Sequence, residues 1–335
     1  MKILFLGEVD AKLSACLPTE GVCKMVRVGF RWAGKIGGMK GMLRRGKRLV
    51  REYAAYGPVR RRRAKRERKG ISASELMGPP GPILIIAAHP DDEVIGAGAL
   101  LSRLHCADVL HVTDGAPREG SFAQKAGFAG RSEYAAERQR EAAAALALLG
   151  RDTLRVQCLG IPDQEAITNV ASLARRLAEL LTDYSFVVTH AYEGGHPDHD
   201  ATALSVQAAC CLIKRGGCEP PSLLEMTGYH GWGGQNVRGV FIPHPDAGSV
   251  AELMLTWAER DLKRRMFACH ATQRGRLKNF SFDVERFRSA PRYDFLAPPH
   301  LGALHYERFR WGIPGQTWRC AAKQALADLD LLDRM

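Results

Sequence analysis

The segment Ile83-Leu84-Ile85-Ile86-Ala87-Ala88-His89-Pro90-Asp91-Asp92-Glu93 sets the architecture of this chain. Its first six residues are apolar without alternation and rich in isoleucine, the pattern of a strand buried on both faces of a parallel sheet. The run then breaks into a His-Pro-Asp-Asp-Glu turn. Immediately upstream, Met77-Gly78-Pro79-Pro80-Gly81-Pro82 is a Gly/Pro cluster that marks a boundary. Downstream, strand patterns over 108–113, 153–159 and 186–189 alternate with helical patterns over 94–104, 132–149, 170–181 and 201–214. The repetition predicts an α/β fold, a Rossmann-like open, mostly parallel sheet with helices on both faces. In such sheets, sites form at the carboxyl ends of strands.

The 335 residues are 46% hydrophobic and 25% charged, which excludes a disordered or collagen-like chain. No apolar run approaches the roughly 20 residues of a membrane-spanning helix. Met1-Lys2-Ile3-Leu4-Phe5-Leu6-Gly7-Glu8 lacks the long apolar stretch of a secretory signal, so a cytoplasmic location is expected. The nine cysteines form no C-x-x-C pair, which argues against both a disulfide framework and a thiolate zinc knot.

The net charge of +12 is concentrated in one segment. Residues 24–69 hold 18 Lys/Arg against two acids, Glu52 and Glu67, a local excess of +16 that leaves −4 for the rest. Residues 1–80 are therefore read as a basic N-terminal extension, and 81–335 as the main domain. Phe30, Trp32 and Met39 among the basic residues suit an anionic membrane surface, at the inner face of a membrane, or another polyanion. A solvated arm with no partner is the competing reading.

Three polar segments stand at or beyond strand ends: His89-Pro90-Asp91-Asp92-Glu93, Thr113-Asp114-Gly115 and His196-Pro197-Asp198-His199-Asp200. Imidazole and carboxylate together suit zinc or ferrous iron, and a catalytic zinc site takes three protein ligands with one open position. One turn can supply a histidine and an aspartate, the other a histidine. Asp91 and Asp92 are adjacent and cannot approach one ion alike, so one ligand and one general base is the natural division. Glu93 and Asp200 fit helix starts. His105 and His111 read as structural, and His244-Pro245-Asp246 as a loop.

Ala88-His89-Pro90-Asp91-Asp92-Glu93, Thr113-Asp114-Gly115 and His196-Pro197-Asp198-His199 resemble the LmbE/PIG-L superfamily of metal-dependent N-acetyl-sugar deacetylases. Arg138-x-x-Glu141 leading to Leu149-Gly150, and Cys269-His270-Ala271-Thr272-Gln273, extend the likeness over roughly 82–273. The resemblance implies that His89, Asp92 and His199 bind the metal and that Asp91 is the base acting on a metal-bound water. It implies that His196 stabilises the oxyanion or protonates the leaving amine, with Asp198 orienting it. Arg138 and Asp114 would contact sugar hydroxyls, and Tyr192 is a further substrate contact. Zinc, or ferrous iron, would lower the pKa of the water, and an imidazolium would face the developing charge.

The implied activity is zinc-dependent hydrolysis of the acetamide on a GlcNAc-type conjugate. The alternatives are an amidase acting on another sugar or thiol conjugate, or a polyanion-binding protein with a degenerate site. In the C-terminal region, 227–233 reads as a substrate-covering loop or a simple turn. Trp311, Trp318 and the helical pattern over 321–332 read as packing elements.

Overall fold

The computed structural model describes residues 81–309 and 311–335. The expected basic extension and its polyanion-directed segment, 24–69, lie outside the described residues. The chain runs through β1 (Ile83–Ala87), α1 (Asp92–Arg103), β2 (Ala107–Pro117), α2 (Ser121–Lys125), α3 (Arg131–Ala147), β3 (Val156–Asp163), α4 (Val170–Leu180), β4 (Phe186–His190) and α5 (Pro197–Arg215). There follow β5 (Ser222–Met226), a hairpin of β6 (Tyr229–Trp232) and β7 (Gln235–Arg238), β8 (Ala251–Met254), α6 (Trp257–Cys269), α7 (Arg274–Leu277), β9 (Val284–Ser289) and α8 (Gly315–Asp328).

Seven strands form one sheet in the order β3-β2-β1-β4-β5-β9-β8. The first five are parallel, and β9 and β8 extend the β5 edge antiparallel. The expected Rossmann-like, mostly parallel sheet is therefore present. β1 is central: Ile83 pairs with Ala107 of β2 on one side and with Phe186 of β4 on the other. The chain builds outward from β1 through β2 and β3, then resumes on its other flank at β4. The carboxyl ends of β1 and β4 thus form the crevice at which strand order reverses.

The unbroken apolar run of β1 serves two cores. Leu84 and Ile86 pack with Leu173 and Leu177 of α4, Leu204 of α5 and Trp318 and Leu326 of α8. Ile83, Ile85 and Ala87 pack with Val94 and Leu100 of α1, Leu146 of α3 and Met266 and Phe267 of α6. Helices cover both faces, as the sequence predicts. Among the described residues no helix is long and apolar enough to cross a membrane.

Boundaries moved in two informative places. The expected strand over 153–159 runs instead to Asp163, and the helix expected from 201 begins at Pro197. Proline at a first helical position costs nothing, because its missing N–H has no intrahelical partner there. The second His-Pro-Asp-His segment is therefore the first turn of α5.

Helix α1 kinks at Ala97 (φ −142°), which leaves nearby backbone groups without their usual partners. A buried ion pair from two distant elements meets them. Lys263 Nζ donates to the Ile95 carbonyl at 2.8 Å and lies 2.5 Å from Glu285 Oε1. The Glu285 carboxylate accepts from Ala99 N and Leu100 N at 2.8 and 2.9 Å. Lys263→Ala would strand that carboxylate in the core, at an expected cost of about 3–5 kcal/mol in unfolding free energy. Denaturant titration of the variant against wild type checks this value.

Candidate metal centre and active site

All three polar segments converge on the crevice at the ends of β1, β2 and β4. Ala88 anchors the first: its carbonyl accepts from Thr113 N and Oγ1, both at 2.8 Å, and its N–H donates to His190 Nε2 at 2.9 Å. The chain then turns sharply, with Asp91 at φ +150°, a region disfavoured for a residue with a β-carbon. Glu93 and Arg138 hold this conformation. Glu93 Oε2 accepts the Asp91 N–H at 3.1 Å and pairs with buried His111 at 2.9 Å. The Arg138 guanidinium donates to Pro90 O at 3.0 Å, Asp91 Oδ2 at 3.2 Å and Gly115 O at 2.8 Å. Burial pushes the Asp91 carboxyl up to about 7, against the pull of Arg138.

The second segment is positioned by two glycines. Gly194 adopts φ +68°, and a Cβ on Gly195 would lie 1.9 Å from the Tyr229 carbonyl oxygen of β6. Asp200 Oδ1 ties down this loop by accepting from Glu193 N and Gly194 N at 3.2 and 3.1 Å. His196 caps α5, its Nδ1 accepting from Asp198 N at 3.2 Å. That bond leaves the proton on Nε2, and burial keeps the ring neutral, its pKa well below the ordinary value.

His89 lies among three carboxylates. Its Nδ1 is 3.0 Å from Asp92 Oδ2, and its Nε2 is 3.2 Å from both Asp163 Oδ1 and Asp198 Oδ2. Burial opposes protonation, yet these neighbours outweigh it and raise the His89 pKa well above its usual value. His199 Nε2 stands 3.2 Å from Asp92 Oδ2 but is buried without an aligned hydrogen bond, and its ring stacks on His190 at 4.0 Å. Three overlapping sets have ligand atoms within 4.8 Å of one another: His89–His196–His199, His89–Asp163–His196–Asp198 and Asp92–His190–His199. The donor set fits a divalent cation. Carboxylate charge is concentrated on one imidazole, and a second buried imidazole nitrogen lacks a donor.

Asp92 touches both His89 and His199, but the three do not make up one of those sets: His89 and His199 group with His196, and Asp92 and His199 with His190. Asp91 lies beside them. Other expectations need correction. Arg138 is buried behind Asp91 with both terminal nitrogens committed to protein oxygens, so those nitrogens position the Asp91 turn rather than face a sugar. Tyr192 packs against Tyr293, Phe295 and Trp318, and its hydroxyl donates to Ala297 O at 2.9 Å; it belongs to the core. Asp198 orients His196 through its backbone N–H. Its carboxylate instead receives Gln164 N and Ala166 N at 2.5 and 3.0 Å, pinning the loop after β3. Asp114 pairs with Arg131 at the crevice rim. His196 is a neutral N–H donor rather than an imidazolium.

Asp163, His190, Glu193 and Tyr229 were not anticipated. Asp163 closes the end of β3, and the other three line a small pocket with His199 and Gly195. The 227–233 segment is a hairpin start that sets Tyr229 at 5.2 Å from the His199 ring. Arg138-x-x-Glu141 and the 269–273 element meet, since Thr272 N and Oγ1 donate to the Glu141 carboxylate at 2.7 and 2.6 Å.

A family model described as PIG-L, GlcNAc-PI de-N-acetylase, matches residues 84–210. No curated protein matches the chain. Among solved structures, a teicoplanin deacetylase in its zinc-inhibited form is 17% identical, with 64% of this chain and 99% of that one covered at a TM-score of 0.47. An N,N'-diacetylchitobiose deacetylase from Pyrococcus horikoshii is 17% identical over 77% and 95%, at 0.45. A 4-carboxy-2-hydroxymuconate hydratase from Pseudomonas putida is 18% identical over 64% and 98%, at 0.42.

Two outcomes follow from this geometry. Gly195→Ala must push the His196 loop off β6, so the divalent metal that added cation leaves on each chain should fall at least tenfold and the melting temperature should drop, a cost of about 2 kcal/mol or more. Metal analysis and thermal melts measure both. His270 is buried with its pKa lowered to about 4, mainly by burial. It stays neutral when folded but protonates near 6.5 when unfolded, so stability falls as pH drops through that interval. Between pH 7 and pH 5 the loss from this group is about 2 kcal/mol. In His270→Leu, unfolding free energies at the two pH values should differ by that much less.

Proposed function

We propose, on the premise that residues 84–210 form a PIG-L domain, that this protein is a metal-dependent hydrolase removing the acetyl group from an N-acetylated sugar conjugate of the GlcNAc type. The family match supports the reaction class. The observation that supports the reading is that the buried Asp92 carboxylate lies 3.0 Å from His89 and 3.2 Å from His199, with Asp91, the candidate base, next to it in sequence. A divalent cation held by His89, Asp92 and His199, zinc or ferrous iron, would supply a Lewis acid that polarises the amide carbonyl and makes water acidic enough to attack.

The side chains account for the remaining steps. Asp91, strained and clamped by Arg138, takes the proton of the attacking water; a carboxyl near pH 7 is well matched to that task. His196 presents Nε2–H as a hydrogen bond to the oxyanion, an orientation set by the Asp198 backbone. The proton taken up by Asp91 passes to the leaving nitrogen as the C–N bond breaks. Asp114 at the rim is the remaining candidate for a sugar hydroxyl. The basic segment 24–69 would draw the protein to an anionic surface at the inner face of a membrane or to another polyanion, on its charge alone.

Full-length protein reconstituted with zinc should release acetate from N-acetylglucosaminyl conjugates, and chelation should abolish the release. Asp91→Asn should lower the rate at least about 100-fold with metal content retained. His199→Ala should lose the metal itself. Acetate assays paired with metal analysis separate the two effects. Undiminished release by either variant would overturn the assignment.

A further inference from the structure

The geometry points to an extension of this site outside the family-matched region: Trp311 and Phe309 form an aromatic platform that receives the unit attached to the reacting sugar, through that unit's apolar face. This rests on the proposed deacetylase reading. The Trp311 ring lies 4.8 Å from the His196 ring, and Phe309 stacks on Trp311 at 4.7 Å with planes 14° apart. The stack begins at a buried catalytic candidate and ends at a phenylalanine 45% exposed. Trp311 itself is half-buried, so it reaches solvent rather than filling the core.

The platform is fastened to the site on both sides. Before it, His305 N donates to the Gly194 carbonyl at 2.8 Å, and the His305 ring meets Tyr229 and Phe309 at 5.4 Å each. After it, Gly315 N donates to Glu307 Oε1 at 2.8 Å, and Trp318 Nε1 donates to the Pro197 carbonyl at 3.0 Å. The Gly194 and Pro197 bonds fall on the loop and helix turn that carry His196 and His199, and the Gly315–Glu307 bond closes the segment that bears the two rings, so the aromatic stack keeps register with the reacting end. An aromatic pair held open to solvent beside a hydrolytic centre suits the C–H face of a second pyranose or an alkyl aglycone, both of which stack on ring faces.

The test compares kcat and KM for acetate release from N-acetylglucosamine, N,N'-diacetylchitobiose and octyl N-acetylglucosaminide, in wild type, Phe309→Ala, Trp311→Ala and Trp311→Phe. Phe309→Ala and Trp311→Ala should raise KM for an extended substrate about five- to tenfold. Their preference for it over the monosaccharide should fall by the same factor, and Trp311→Phe should restore most of it. A response confined to the chitobiose assigns the platform to a second sugar, and one confined to the octyl glycoside assigns it to an apolar aglycone. An unchanged preference in an active enzyme overturns the inference and leaves the deacetylase reading standing. If wild type releases no acetate from any substrate, that reading fails, and calorimetric titration with octyl N-acetylglucosaminide decides the platform separately. Binding weakened about fivefold or more in Phe309→Ala supports it; equal binding, or none to wild type, overturns it.

Discussion

Three carboxylates gathered around one buried imidazole constrain everything else in this molecule. Asp92, Asp163 and Asp198 all reach His89, and none can be neutralised by water. Such a concentration of negative charge is tolerable in a protein interior only when positive charge is supplied, by a proton or by a cation. The surrounding scaffold concentrates on holding those groups in place. β1 and β4 bring their turns side by side, α5 carries one histidine at its cap and another within its first turn, and the loop after β3 is fixed by the Asp198 carboxylate.

Much of the support acts through backbone geometry. Asp91 occupies a disfavoured φ, and Glu93, His111 and Arg138 converge on the same turn. Strain of this kind costs about 1–3 kcal/mol and persists only where neighbours over-determine it. Here the neighbours are themselves buried, so two carboxylates are presented at adjacent positions yet face different partners. That is how two consecutive aspartates come to differ, one drawn toward His199 and His89 and the other toward Arg138.

The parallel core and the two histidine-bearing turns were legible because they depend on local pattern: an unalternating apolar run, and polar residues where it stops. Asp163 was missed for a physical reason. Val156–Asp163 is a sheet-edge strand with exposed and half-buried positions, so its periodicity is weak and its end could not be located. β5, β8 and β9 were missed because the antiparallel extension is defined by partners far away in sequence. Tyr192 and Arg138 show the opposite failure. Residue type suggested substrate contact, whereas packing against Trp318 and bonding to Pro90 O, both products of the tertiary fold, claimed them for the interior.

The buried Lys263–Glu285 pair carries a wider implication. It joins α6 and β9, which come late in the chain, to the middle of the helix whose first residue is Asp92. A nascent polypeptide emerging from the ribosome could therefore not complete that helix's bonding until Glu285, almost two hundred residues further along, had been made. Assembly of the helix that begins at Asp92 is thus tied to synthesis of the distal half, and a chain truncated before β9 would leave the bend in that helix without its clasp.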